Sequence, residues 1–312
     1  MFVQAVHGFL HYMQAMRGAS EHTIRSYAND LTAFLAFLRG GAPCGRIDPD
    51  NKANEGAADL PTLQQIDRKT IRAYIISERN RAISKRSVAR RLSSLRSFFR
   101  HCLREKLIDH NPLDLIDSPK LDRTVPHSLS YSQVEHFFNL PDTSTFLGFR
   151  DRAIMELFYS SGLRVSELAG LNRGDFDTQE LLLLVRGKGK KERIIPITEN
   201  AAQWVTSYLS HQERPAVQRD SQAIFLNRLG TRLTTRSIDR LFTHYLAKSG
   251  FAQTITPHVI RHTIATHWLE QGMDLKTIQL LLGHSSMATT TIYTEVSSDL
   301  KKRVVASFHP RA

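Results

Sequence analysis

The chain has 312 residues, of which 41% are hydrophobic and 23% are charged, so it is long enough for two folded domains and too apolar to be disordered. Its 42 Lys and Arg against 30 Asp and Glu give a net charge of +12, which predicts a polyanionic partner. Cys44 and Cys102 form neither a disulfide framework nor a metal-ligand spacing, and the N-terminus lacks the pattern of a secretory signal. We therefore expect a soluble cytoplasmic protein without a membrane segment.

The first 110 residues carry helical patterns. Ser20 is the expected N-cap of a helix that Gly40 ends, and Ser84 opens a second, basic amphipathic helix. Between Arg81 and Arg104 there are eight Lys or Arg and no acid. A solvated face explains such a helix taken alone, but the charge surplus of the whole chain favours phosphate contact. The residues predicted to make it are Lys85, Arg86, Arg90, Arg96 and Arg100.

Two segments have the composition of loops. Residues 40–61 are rich in Gly, Pro, Asp and Asn, and such length inside a compact domain indicates a specific contact or a mobile insertion. Residues 118–127 contain prolines and turn formers between helical patterns, and we interpret them as a linker. The predicted organisation is a helical domain over residues 1–117 and a second domain over residues 128–312.

The second domain is mainly helical, with one change of period. ELLLLVRG and ERIIPIT, separated by KGKK, predict two short strands joined by a tight basic turn. Helical patterns surround them, and in TPHVIRHTIATHWLEQG the pair Thr256 and Pro257 predicts a helix start. The expected fold class is therefore mainly α, with a small antiparallel sheet in an α+β second domain.

Several cationic or proton-transferring side chains lie near predicted helix ends or turns in this domain. His258 and Arg261 share the N-terminal part of one helix, where backbone N–H groups already favour an anion such as a phosphodiester. His258, His262 and His267 raise the alternative of a metal site, but no HExxH motif or nearby cysteine accompanies them, and we expect no metal. Tyr293, among threonines, is either a core aromatic or a nucleophile.

Five ordered motifs bear on that choice: GLRVSEL at 162–168, GKGKKER at 187–193, HVIRHT at 258–263, LLGHSS at 281–286 and TTTIYT at 289–294. In order and spacing they resemble the tyrosine recombinase (phage integrase) family, and its bacterial Xer branch most closely. The resemblance extends over the whole chain. It implies an N-terminal helical core-binding (SAM-like) domain followed by a catalytic domain.

The resemblance also implies roles for individual residues. Six would be catalytic: Arg164, Lys188, His258, Arg261, His284 and Tyr293. The tyrosine would attack the scissile phosphate to form a 3′-phosphotyrosyl link, and the two arginines would clamp that phosphate. The two histidines would hydrogen-bond the phosphate or move protons, and the lysine would protonate the leaving 5′ oxygen. Glu167 would be a supporting residue.

Partners follow from the same resemblance. They are duplex DNA with a specific recombination site, a synaptic tetramer of this chain alone or with a related recombinase, and in some systems a DNA translocase, with no metal or ATP required. Leu300, Val304, Val305 and Phe308 form an apolar stripe that would either dock into a neighbouring protomer or fold back on its own domain. The target sequence is not predicted.

Dimer resolution of chromosomes or plasmids is the expected role. Integration or transposition of a mobile element by the same chemistry is the first alternative. A type IB topoisomerase and a catalytically silent DNA-binding regulator are further alternatives.

Overall fold

The computed structural model describes residues 2–41, 47, 61–120, 128–187, 192–216, 222–251, 255–283 and 307–308. The chain divides into two compact units, Met1–Thr124 and Val125–Ala312. In the described ranges, no helix combines the length and the apolar character that a membrane crossing needs.

In its described residues the N-terminal unit contains four α-helices, α1 (Phe2–Ala15), α2 (Glu21–Leu38), α3 (Arg68–Asn80) and α4 (Lys85–Arg104), and a 3-10 turn at Leu63–Gln65. Helices α1, α2 and α4 pack against one another, and α3 packs on α2. Aromatic rings fill the centre, where Phe9 and Phe34 are fully buried together with Phe98 and Phe99 of α4. The apolar face of α4 therefore points inward, as its periodicity predicted.

Helix caps lie where the sequence places them. Ser20 precedes α2 and its hydroxyl accepts a hydrogen bond from the Thr23 backbone N–H, while the Ser84 hydroxyl accepts one from Ser87. Such side chains satisfy N–H groups that have no partner within the helix. Within the 40–61 segment the structure describes residues 40, 41, 47 and 61. Ile47 is fully buried in the core of the unit, and its N–H donates to Thr32 Oγ1.

Buried acids from neighbouring helices hold two arginines of α4. Asp30 of α2 is 1% exposed, and its Oδ2 accepts hydrogen bonds from Arg90 Nη1 at 2.5 Å and Ser94 Oγ at 2.7 Å. Glu78 of α3 is also 1% exposed and forms an ion pair with Arg91. Burial of a carboxylate is tolerated where hydrogen bonds and a positive partner compensate for lost water, so these contacts fix α4 against its neighbours.

The C-terminal unit is built around a buried helix. Its helices are α5 (Tyr131–Phe138), α6 (Phe146–Ser161), α7 (Val165–Gly170), α8 (Glu199–Leu209), α9 (Thr235–Ser249), α10 (Pro257–Glu270) and α11 (Leu275–Leu282). Thirteen of the 16 residues of α6 are buried, and α5, α8 and α10 pack on it. Helix α6 is therefore the centre of this unit's core.

A small antiparallel sheet lies beside these helices, with strand order β1 (Phe176–Asp177), β2 (Leu182–Arg186) and β3 (Glu192–Pro196). Leu183 pairs with Ile195 and Val185 pairs with Arg193. Leu183, Val185 and Ile195 are buried, so this face of the sheet points into the core. Arg193 lies on that same inward face.

The predicted fold class is confirmed. Both predicted strands are present, but the sequence analysis missed β1, which is two residues long and carries no readable alternation. It also missed α11, a short helix of eight residues. Phe308 packs against the core of its own unit, near Gly272, while the other residues of the C-terminal apolar stripe lie outside the described residues.

We expect Asp30→Ala to lower the free energy of unfolding by about 2 kcal/mol, because the Ser94 hydroxyl and the Arg90 guanidinium lose their shared acceptor. Glu21→Ala is the matched control on the same helix, since Glu21 forms an exposed pair with Arg25 and its removal costs less than about 1 kcal/mol. Urea unfolding followed by circular dichroism measures both. Equal losses would contradict a special contribution from the buried acid.

Candidate active site

The N-terminus of α7 brings Arg164 and Glu167 together. Arg164 is the N-cap residue, and Glu167 stands three positions later. The Glu167 carboxylate reaches back, so that Oε2 accepts a hydrogen bond from the Arg164 backbone N–H at 2.8 Å and Oε1 accepts one from Arg164 Nη1 at 2.9 Å. The spacing of GLRVSEL thus follows from helix-cap geometry, in which an acid at the third helical position binds the cap residue.

Arg193 of β3 binds the same carboxylate from its other side. Its Nη1 and Nη2 donate to Glu167 Oε1 and Oε2, each at 2.8 Å. An ionised carboxylate offers about four acceptor positions, and the two arginines fill all four. The side chains of Glu167 and Arg193 are only 4% and 9% exposed. Burial by itself would raise the pKa of Glu167, but the hydrogen bonds from Arg193 and Arg164 outweigh it and hold that pKa below its ordinary value.

Arg261 reaches the same place from α10, one turn inside the helix. Its Nη1 donates to the Gly162 carbonyl at the end of α6, and its Nη2 donates to the Leu282 carbonyl at the end of α11. The residue is 8% exposed. Burial, and then repulsion from Arg164 and Arg193, lowers the pKa of Arg261 to about 10, so it stays positively charged at neutral pH.

The C-terminal end of α11 gathers all three arginines. Three successive carbonyl oxygens accept from them: Leu281 from Arg193 Nε at 3.3 Å, Leu282 from Arg261 Nη2, and Gly283 from Arg164 Nη2 at 2.6 Å. The last carbonyls of a helix have no partner within it and carry partial negative charge, which guanidinium donors satisfy. The helix end therefore helps to hold like charges side by side.

The cluster formed by these three arginines and Glu167 has a surplus of positive charge. Three guanidinium groups against the single Glu167 carboxylate give a net charge of +2. Arg164 is the most accessible member, with a side chain that is 37% exposed. Its described side-chain contacts use two of the five N–H donors that a guanidinium offers. This geometry suits an oxyanion with two or more oxygens in one plane.

The other predicted catalytic residues are placed as follows. His258 is exposed in the first turn of α10, which Thr256 caps, and it lies one turn before the buried Arg261. The structure brings Arg164, Glu167 and Arg261 together. Lys188, His284 and Tyr293 lie outside the described residues.

Of the two other histidines of α10, the structure explains the burial of His267 and gives His262 no particular role. His267 is buried; its Nε2 donates to the Leu129 carbonyl at 2.8 Å, and its Nδ1 accepts from the Tyr159 hydroxyl at 2.6 Å. Both ring nitrogens are thus used inside the core. His262 is exposed. In the described part of the chain, no group of three acidic, histidine or cysteine side chains is arranged to hold a metal ion.

The basic residues predicted on α4 fall into two groups. Lys85, Arg86 and Arg100 are exposed. Arg90 binds Asp30, and Arg96 donates to Ser118 Oγ at 2.7 Å and to the Ile116 carbonyl. The second group therefore also stabilises the N-terminal unit.

Arg193 was not among the predicted site residues, although it is the last residue of the GKGKKER motif. A signal was present: in ERIIPIT the side chains of Arg193, Ile195 and Ile197 alternate along a predicted strand and so share one face. Two isoleucines on that face indicate the core. A charged residue at an inward strand position predicts a buried partner of opposite charge.

Comparisons with known proteins match both units. Residues 127–299 match the Phage integrase family, and residues 6–55 and 51–106 match the Phage integrase N-terminal SAM-like domain. The chain belongs to the phage integrase family of tyrosine recombinases. The predicted family, its SAM-like N-terminal domain and its enzyme class, a DNA strand-transferring recombinase of the Xer type, are confirmed.

Relatives of this recombinase cover nearly its whole length. The tyrosine recombinase XerC of Chlamydia trachomatis is 49% identical over 310 residues, covering 99% of this chain and 98% of the relative. XerC of Syntrophus aciditrophicus is 38% identical over 311 residues, covering 97% and 96%. Among solved structures, XerH bound to a palindromic difH substrate has a TM-score of 0.71 at 19% identity, covering 94% of this chain and 92% of that one. The Tn1549 transposon integrase has a TM-score of 0.69 at 19% identity, covering 96% and 97%.

Substitution of Gly162 tests the packing that holds Arg261 in this recombinase. It ends α6 with a φ of 58°, and a Cβ there would lie 2.7 Å from Leu282 Cδ2. Gly250 ends α9 with a φ of 70°, and no described atom lies within 4 Å of its Cβ position. We expect Gly250→Ala to cost about 1 kcal/mol in unfolding free energy from backbone strain. Gly162→Ala should cost about 1–3 kcal/mol more, because buried Leu282 must move. Urea unfolding of both variants decides, and equal losses would contradict the close packing.

The pKa of Glu167 generates a prediction about acid stability. A carboxyl whose pKa is lower in the folded than in the unfolded protein stabilises the fold above its unfolded pKa, and that contribution is lost as pH falls toward the folded pKa. Below about pH 4.5, the unfolding free energy of the wild type should therefore fall more steeply than that of Glu167→Gln. Urea titrations at a series of pH values measure the two slopes. Parallel curves below that pH would show that the carboxylate has no depressed pKa.

Proposed function

We propose that this recombinase cuts and rejoins duplex DNA at a specific site, one strand at a time, through a 3′-phosphotyrosyl link to Tyr293. The observation that supports the proposal is the arginine cluster around Glu167, with its net charge of +2. A phosphodiester carries one negative charge and gains more on its non-bridging oxygens as the pentacoordinate transition state forms. A site with a surplus of two positive charges therefore stabilises the transition state more than the bound substrate.

Arg164 and Arg261 are the proposed phosphate clamp. Arg164 is partly exposed and retains donors, whereas Arg261 is buried beneath the same helix end. The contacts that hold them run to carbonyl groups and to Glu167, so both guanidinium planes are oriented before substrate arrives. Such preorganisation lowers the barrier because the donors need not reorient during the reaction.

Proton transfer is assigned to the remaining motif residues. Lys188, in the basic segment of the sequence between β2 and β3, would protonate the leaving 5′ oxygen, while His258 and His284 would hydrogen-bond the phosphate or move protons. His258 is exposed at the N-terminus of α10, where helix N–H groups also favour an anion. Attack by Tyr293 exchanges one phosphodiester for another, so the bond energy is kept for religation and the proposed reaction needs neither ATP nor a metal ion.

DNA binding is assigned to both units. On the N-terminal unit the exposed residues Lys85, Arg86 and Arg100 of α4 are the proposed phosphate contacts, with Arg90 and Arg96 contributing beside their structural bonds. We place α4 near the major groove. The XerH structure, described as bound to a difH substrate, and a lambda integrase dimer, described as bound to a core site, have this fold and support the assignment.

Resolution of chromosome or plasmid dimers within a synaptic tetramer is the proposed biological role, in the cytoplasm. The tetramer would contain this chain alone or with a related recombinase, under the control of a DNA translocase where one is present. Support comes from XerC relatives that match along nearly their full length. Integration of a mobile element by the same chemistry is the second candidate, because the Tn1549 transposon integrase shares the fold.

The decisive variant is Tyr293→Phe. Wild-type protein mixed with DNA that carries a nicked recombination site, without magnesium, should form a covalent adduct that a denaturing gel resolves. The variant should bind the same DNA and form no adduct, because it has lost only the nucleophilic oxygen. Adduct formation by Tyr293→Phe would exclude this residue as the nucleophile.

Two controls separate the rival functions. Relaxation of a supercoiled plasmid that lacks the site would indicate a topoisomerase. Tight binding without an adduct on any nicked site, alone or with a related recombinase, would indicate a DNA-binding regulator. Each result is distinct from the site-dependent adduct that the proposal expects.

A further inference from the structure

Arg193 has no role in the proposed chemistry, yet its side chain donates more hydrogen bonds to the described residues of the site than the side chain of either clamp arginine. It binds both oxygens of Glu167 and also the Leu281 carbonyl at the end of α11. We propose, building on the proposed function, that Arg193 is a positioning residue of strand cleavage, which acts through Glu167 to hold Arg164 in the orientation that binds phosphate.

Arg193 and Arg164 share the Glu167 carboxylate. Glu167 has about four acceptor positions, and Arg193 takes one on each oxygen. This leaves a single position for the Arg164 side chain, on Oε1, because the other position of Oε2 accepts from the Arg164 backbone N–H. Arg164 is therefore restricted to a one-nitrogen contact with Glu167, and its Nη2 turns to the Gly283 carbonyl.

Loss of Arg193 would change that geometry. A buried carboxylate with two empty acceptor positions attracts the nearest donors, and the Arg164 guanidinium is adjacent. A two-nitrogen pair between Arg164 and Glu167 would form in the favoured fork geometry. It would draw Arg164 away from Gly283 and use the donors that the phosphate requires.

Arg193 itself is poorly placed to touch DNA. Its side chain is 9% exposed, and all three of its guanidinium nitrogens donate to Glu167 or Leu281. The space around it is tight, since a Cβ at Gly283, which has a φ of 66°, would lie 3.0 Å from its Cζ. Its effect on cleavage should consequently pass through Glu167 and the end of α11.

The test uses single-turnover cleavage of a nicked site at saturating DNA, with thermal unfolding and DNA binding measured on the same samples. We expect Arg193→Gln to bind DNA normally and cleave about a hundredfold more slowly, the loss that a small misplacement of a catalytic group produces. The matched control is Arg152→Gln, which breaks another buried arginine–glutamate pair of the same unit, with Glu156. Folded Arg152→Gln should cleave as the wild type does.

The cleavage rate of the double variant shows whether Arg193 acts through Glu167. If Arg193 acts through Glu167, then Arg193→Gln should slow cleavage little further when Glu167→Gln is already present. Arg193→Lys keeps the charge but cannot span both oxygens, so it should cleave at a rate between those of the wild type and Arg193→Gln. This variant also serves if Arg193→Gln does not fold.

Three results would overturn the inference: wild-type cleavage by Arg193→Lys, equal cleavage by Arg193→Gln and Arg152→Gln, or full additivity of the Arg193→Gln and Glu167→Gln losses. Each of these presupposes an active wild type. If the wild-type protein forms no Tyr293-dependent adduct, the proposed function itself fails, and the two failures are thereby distinguished.

Discussion

The Glu167 carboxylate is the contact on which the rest of the catalytic unit's site depends. Three guanidinium groups at one helix end repel one another, and they are stable there because one buried acid and three helix-end carbonyls face them. The acid compensates only part of the charge. The remaining positive charge suits the anionic substrate that we propose for this site.

The ends of three helices meet at the site. Gly162 caps the end of α6, Arg164 caps the start of α7, and Gly283 caps the end of α11. The carbonyls at the ends of α6 and α11 have no partner inside their own helices and accept hydrogen bonds from the arginines, whereas the backbone N–H of Arg164 at the start of α7 donates to Glu167. Residues 284–300 continue directly from the α11 end that these arginines hold. The proposed catalytic residues His284 and Tyr293 follow that helix end in the sequence.

The N-terminal unit uses buried acids in a similar way for a different purpose. Asp30 and Glu78 bind Arg90 and Arg91 and so fix α4 against α2 and α3. A basic helix of a DNA-binding protein thus contains arginines that hold the fold beside others, such as Arg100, that lie on the exposed face. Net charge by itself does not separate the two kinds, because the distinction lies in which side of the helix meets an acid.

Local signals in the sequence account for much of the fold. Ser20, Ser84 and Thr256 cap their helices, and strands β2 and β3 occupy the segments whose period is two. The elements that sequence analysis missed are short: β1 and α11 offer too few residues for a period to emerge. The motif spellings were enough to identify the family and to single out Arg164, Glu167 and Arg261, since those residues lie in segments that can be recognised one at a time.

The sequence by itself determined most of the longer helices, several of their caps, the charge surplus and the family. Only the tertiary structure decided which residues share the site, because its bonds join distant parts of the chain: 26 residues separate Arg193 from Glu167, and 119 separate Arg164 from Gly283. A cap is read from three or four neighbouring residues. A carboxylate shared by two arginines depends on how α7, β3 and α11 pack, and no local pattern contains that information.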